Sequence, residues 1–138
     1  MKPIDIDNYE LEISSDCNAE CPLCQRTHMK MPLRGNNNIS LADLKNIFYK
    51  DEYINGKEFK LCGVLGDPIL NPECIEICDF LSSKGARKIA LSTNGGMNTP
   101  EWWTRLAKIK NVQVDFCVDG FENTNHIYRV NEIGRAHV

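Results

Sequence analysis

Three cysteines fall in the short segment Cys17-Asn18-Ala19-Glu20-Cys21-Pro22-Leu23-Cys24. Sulfurs spaced in this way can wrap a single inorganic core from one compact loop. Iron–sulfur clusters of the ferredoxin type take four protein thiolates. No fourth cysteine lies near this loop, so three thiolates would leave one iron open to a ligand from outside. Two other chemistries use the same residues. Structural zinc wants a fourth Cys or His, and His28, just past Cys24, could supply it. The Cys21-Pro22-Leu23-Cys24 stretch also has the form of a redox dithiol, although that motif opens a helix and needs no third cysteine. A zinc-stabilised module and a bare redox iron–sulfur module therefore stand beside the open cluster.

The whole chain has 138 residues, 42% apolar and 25% charged, with a formal charge of -3. This is the size and composition of one folded globular domain. The acidic balance argues against nucleic acid as the main partner, because binding to a phosphate backbone rests on cationic neutralisation. Acidic groups from Asp5 to Glu12 and the lack of a long apolar run read against a secretory leader or a membrane span, so a cytoplasmic location is expected. Seven cysteines are an odd number, which in a reducing compartment favours metal or cluster ligation over a disulfide framework.

The cysteine loop needs elements to hold it. Alternation over residues 9–13 predicts a strand immediately before it. Ser40 with Asp43 three positions on, then Leu41, Leu44, Ile47 and Phe48, predicts a capped helix. A second strand over 58–64 ends in Gly66-Asp67-Pro68, and Asn71-Pro72 opens a helix that closes at Gly85. A third strand over 87–93 ends in Asn94-Gly95-Gly96, and Thr99-Pro100-Glu101 starts a helix bearing Trp103, Leu106 and Ala107. The fourth strand, 112–118, ends at Asp119-Gly120. Four βα units in succession require parallel pairing, so the class is α/β, with the chemistry at the carboxyl ends of the strands.

A Cys-x3-Cys-x2-Cys loop after the first strand of a parallel α/β chain resembles the radical S-adenosylmethionine (SAM) superfamily. The resemblance implies a parallel partial (β/α) barrel, here truncated after about four βα units. It implies that Cys17, Cys21 and Cys24 hold a [4Fe-4S] cluster whose fourth iron is chelated by SAM. It further implies reductive cleavage of SAM to a 5′-deoxyadenosyl radical that takes hydrogen from a substrate. Gly66, Asp67 and Pro68 resemble the glycine-rich segment that engages the SAM amino group, with Asp67 where Glu is commoner. Thr93-Asn94-Gly95 and Cys117-Val118-Asp119-Gly120 resemble the loops after strands three and four that face SAM, so Thr93, Asn94, Cys117 and Asp119 join the cofactor set. Along strand four Val112, Val114, Phe116 and Val118 should point one way and Asp115, Cys117 and Asp119 into a polar barrel interior.

Implied partners are SAM, a one-electron donor such as flavodoxin or ferredoxin, and a substrate that could be a peptide or protein; the last rests on Asp119-Gly120 with His126, Tyr128 and Arg129, the latter three placed as substrate contacts. Cys62, Cys74 and Cys78 read as core packing. The hexapeptide at 133–138, Ile-Gly-Arg-Ala-His-Val, is encoded by ATC GGA AGA GCA CAC GTC, a common short-read sequencing adapter. Residues 1–132 are accordingly expected to be the N-terminal portion of the core domain and 133–138 a non-native tail.

Overall fold

The computed structural model describes residues 6–35 and 37–131; the expected tail lies outside them. Four strands, β1 (Asn8–Leu11), β2 (Glu58–Leu61), β3 (Lys88–Thr93) and β4 (Val112–Phe116), form one parallel sheet in the order β1-β2-β3-β4. Between them run α1 (Gln25–His28) and α2 (Leu41–Ile47), then α3 (Cys74–Ser83) and α4 (Pro100–Ala107), while α5 (Asn125–Tyr128) follows β4. No helix among the described residues is long and apolar enough to cross a membrane.

The sheet has two chemically opposite faces because side chains alternate along each strand. Tyr9, Leu11, Phe59, Leu61, Ile89, Leu91, Val112 and Val114 belong to the apolar core that also holds Leu44, Ile77, Leu81 and Leu106 of the helices. Tyr9 stacks on Phe59 at 5.1 Å, and Phe48 meets both edge-on, an arrangement worth about 0.5–1.5 kcal/mol per pair beyond the area buried. The other face carries Glu10, Glu58, Lys60, Lys88 and Asp115 around a shallow cavity. Open parallel sheets are ordinarily apolar on both faces, so a polar second face is what a barrel interior requires.

Local signals place the helices. Ser40 Oγ accepts from Asp43 N at 3.1 Å, and the Asp43 carboxylate accepts from Ser40 N, the capping box expected for α2. Thr99 caps α4 with Pro100 at its first position, and Gly85, at φ +85°, ends α3 as predicted.

Four boundaries differ from expectation. β1, β2 and β4 end earlier than the alternation suggests, because their last residues curve into the loops described below. Helix α3 begins at Cys74 after a 3-10 turn at Pro68–Leu70. The Asn71 side chain does two things there: its Oδ1 accepts from Glu73 N at 2.8 Å, the local cap expected of it, and its NH2 donates to Ile13 O and Ile39 O at 2.7 and 2.8 Å. Phe116 and Val118 share the apolar parity of β4 yet are 51% and 47% exposed, although Trp103 lies against the Phe116 ring at 5.6 Å.

Candidate functional site

All four strands deliver their carboxyl-terminal loops to one cavity of about 260 Å³. Cys17, Cys21, Cys24, Gly66, Asp67, Thr93, Asn94, Cys117 and Asp119 line it. Pro68 does not; it is buried behind Asp67 at the start of the 3-10 turn. His28 is exposed at the end of α1 and lies outside the lining, so the fourth zinc ligand foreseen from spacing is not placed with the thiols.

The cysteine loop is held from several sides. Cys17 N donates to Leu33 O, Cys24 N to Cys21 O, and Thr27 Oγ1 to Cys21 O. Arg26, 2% exposed, donates to Ser15 O at 2.5 Å, to Leu65 O at 2.6 Å and to Pro32 O. That guanidinium ties the segments before and after the cysteines to the β2 loop. Gly66 lies against the same backbone: a Cβ built there would sit 1.9 Å from Ser14 O, so no other residue fits without a backbone shift.

Asp67 is the hub. Its carboxylate accepts from Thr93 Oγ1 at 2.9 Å, Asn94 N at 2.8 Å and Ile69 N at 3.2 Å, while its own N–H donates to Asp16 O. Burial nonetheless pushes its pKa above the ordinary carboxylate value, the three hydrogen bonds opposing this. Asn94 extends the network, donating to Asn18 Oδ1 at 3.0 Å and reaching Cys17 Sγ at 3.8 Å. Across the cavity Asp119 pairs with Arg129, Oδ2 to Nε at 2.5 Å, and Arg129 Nη1 lies 3.7 Å from Cys21 Sγ.

The thiols share the cavity without converging on a point: among the described residues no three His, Cys, Asp or Glu side chains are placed to hold a single metal ion. Their sulfurs attract donors, from Ala19 N at 3.4 Å to Cys17 and from Asn94 and Arg129 as above. Such donors to ligand sulfurs are a means by which proteins stabilise iron–sulfur clusters. Burial raises the pKa of Cys17 and of Cys21, and Arg129 draws the second back. Without a bound cation both therefore favour the neutral thiol. Three thiols with N–H donors beside two of them are the kind of donor set an iron–sulfur cluster uses.

Cys62 corrects one expectation. It is not in the core: it lines the cavity and its thiol donates to Glu10 Oε1 at 2.9 Å. Burial, then Glu10, pushes its pKa up to about 11. Parity with Glu58 and Lys60 on β2 was the signal that could have placed it. Arg26 had no such signal. Cys74 and Cys78, by contrast, are fully buried among apolar side chains, as expected.

Known proteins resemble the chain in sequence. Over 88 residues the chain is 29% identical to the probable GTP 3′,8-cyclase of Methanothermobacter marburgensis, covering 64% of this chain and 27% of that protein. A 27% identity over 86 residues links it to the GTP 3′,8-cyclase of Mannheimia succiniciproducens, covering 62% of this chain and 25% of the relative. The matched segment thus spans about a quarter of the length of these relatives. The profile of the radical SAM superfamily matches residues 11–137, which contain all three cysteines and all four strand-end loops, and the chain belongs to that superfamily.

Proposed function

We propose that this chain is the cofactor-binding part of a radical SAM enzyme, in which Cys17, Cys21 and Cys24 ligate a [4Fe-4S] cluster and the loops after β2, β3 and β4 receive SAM. The observation that carries the reading is the meeting of three thiols with Gly66, Asp67, Thr93, Asn94, Cys117 and Asp119 in one cavity at the strand ends. When bound, the cluster and SAM supply one-electron cleavage of SAM to a 5′-deoxyadenosyl radical that takes hydrogen from a substrate.

The residues themselves bind and orient. With its carboxylate engaged by Thr93, Asn94 and Ile69, Asp67 chiefly fixes the loop. Asp67 then has only a remaining lone pair to offer an ammonium group, and Leu65 O beside it is already taken by Arg26. Cys117, whose N–H donates to Thr93 O, adds a weak thiol donor to the lining. A bare redox cluster is the second reading, because the same thiols serve it.

Anaerobic reconstitution should give about four iron and four sulfide per chain, the stoichiometry of such a cluster, and SAM should perturb its electron paramagnetic resonance spectrum. A cluster indifferent to SAM would favour the bare redox reading, and one zinc without sulfide would sink both. Replacing Cys17, Cys21 or Cys24 with Ala should abolish the cluster, whereas replacing Cys74 or Cys78 should leave iron content nearly unchanged. For the substrate, Asp119-Gly120 with the His126-to-Arg129 pattern points to a peptide or protein, while the relatives are named for GTP. Turnover of SAM to 5′-deoxyadenosine, measured with GTP and with peptides, separates the two.

A further inference from the structure

Arg129 follows α5 and reaches back over the cavity to the cysteine loop. Its Nη1 is 3.7 Å from Cys21 Sγ and its Nε 2.5 Å from Asp119 Oδ2. The side chain is only 18% exposed. The cation is therefore held, largely out of water, between a cluster-ligand sulfur and a fixed carboxylate. Arg26 is differently employed. It is more deeply buried, and its hydrogen bonds go to the backbone carbonyls of Ser15, Leu65 and Pro32.

We propose that Arg129 sets the reduction potential of the cluster held by Cys17, Cys21 and Cys24, with Asp119 fixing its position. The inference rests on the cluster assignment above. Reduction adds one electron, drawn from a one-electron carrier, to a core already carrying three thiolates; no bond to the protein forms or breaks. A nearby fixed cation lowers the energy of the more negative, reduced core by more than that of the oxidised core, so it raises the potential. An N–H donated to a ligand sulfur acts in the same direction, and both effects gain strength as water is excluded. The Asp119 carboxylate supplies the opposing sign. Arg129 is thus a tuning residue, acting through Cys21 without ligating iron.

The test uses the full chain, reconstituted anaerobically, with iron and sulfide counted and the potential titrated by electron paramagnetic resonance in the absence of SAM. Arg129→Gln should keep its iron yet show about tenfold less reduced cluster at a fixed ambient potential, a shift of about 59 mV for one electron. Arg129→Lys, which keeps the charge, should remain close to the unmodified chain. Asp119→Asn should move the potential upward, because the amide keeps the shape of the carboxylate beside Nε while the negative charge is gone. A fully loaded Arg129→Gln protein at the unmodified potential would overturn the proposal. Should Arg129→Gln fail to retain iron, Arg129→Met, an uncharged side chain of similar reach, decides: a loaded protein at the unmodified potential refutes it. Failure of the cluster assignment looks different, since the unmodified chain would then take up no sulfide.

Discussion

Replacing Asp67 with Ala separates a structural hub from a simple ligand contact. The substitution deletes acceptors for three donors and leaves Asn94 N and Ile69 N buried without a partner; the Thr93 hydroxyl can rotate to another acceptor. Each stranded N–H costs about 1–3 kcal/mol. Removing a carboxylate that is costly to bury offsets part of that loss, since burial holds its pKa above the ordinary value. A net destabilisation of about 2–4 kcal/mol follows, a large share of the roughly 5–15 kcal/mol that holds a domain together. Asp67→Asn should cost less, because one oxygen still serves Thr93 and Asn94 while its NH2 faces the Ile69 donor. Urea unfolding followed by the fluorescence of Trp102 and Trp103 measures both variants. The pH dependence supplies a second reading. A carboxyl whose folded pKa is raised contributes stability that is present below its unfolded value of 3.8 and lost as pH rises through the folded value. The stability gap between the unmodified chain and Asp67→Asn should therefore widen as pH falls from 7 toward 4. An Asp67→Ala protein within about 0.5 kcal/mol of the unmodified chain, with SAM binding lost, would refute the hub and make Asp67 a ligand contact alone; ordinary surface substitutions fall within that margin.

Gly66→Ala should cost more than the roughly 1–3 kcal/mol typical of overpacking, because the clash is with Ser14 backbone; reconstituted iron content should fall with stability, and normal stability with normal iron would contradict the contact. At pH 9, alkylation of Cys62 by iodoacetamide should run roughly fifty-fold slower than that of a free thiol, since only the thiolate reacts and its pKa is pushed up to about 11. Glu10→Gln should raise that rate, which peptide mapping by mass spectrometry can follow. Ser40→Ala removes the acceptor for Asp43 N and should cost about 1 kcal/mol in urea unfolding, as other helix caps do, with iron content unchanged.

The fold was legible where local chemistry and tertiary packing agree. Alternation marked β1 and the faces of β4, and the Ser40–Asp43 box and the Thr99-Pro100 start gave α2 and α4 their origins. Disagreement came where a side chain with good local propensity was recruited from a distance. Asn71 does cap locally, through Oδ1 to Glu73 N, but its NH2 also joins two loops remote in sequence, which no local signal shows, and the helix begins at Cys74. The one-turn α1 carried no periodic pattern to reveal it. Arg26 was invisible for a related reason: its partners are carbonyls, which every residue has, so no residue type advertises the contact. Cys62 was misread because residue type was allowed to outweigh parity.

The site was more legible than the fold boundaries because its members are short motifs at strand ends, and a parallel sheet delivers all such ends to one side. What those motifs do was less legible. Asp67 was read as an acceptor for the cofactor and is first an acceptor for Thr93, Asn94 and Ile69. Asp119 was read the same way and pairs with Arg129. In each case the acid joins a strand-end loop to a neighbour: Asp67 holds the β3 loop to its own, and its backbone N–H holds the segment before Cys17 through Asp16 O. Asp119 holds Arg129 against Cys21. Both acids thus bear on the cysteine segment, Asp67 through Asp16 and Asp119 through Arg129, and a substitution at either should be felt at the sulfurs before it is felt at the cofactor. Iron content and cluster potential are accordingly more direct readouts of Asp67 and Asp119 than turnover, which mixes loss of position with loss of binding.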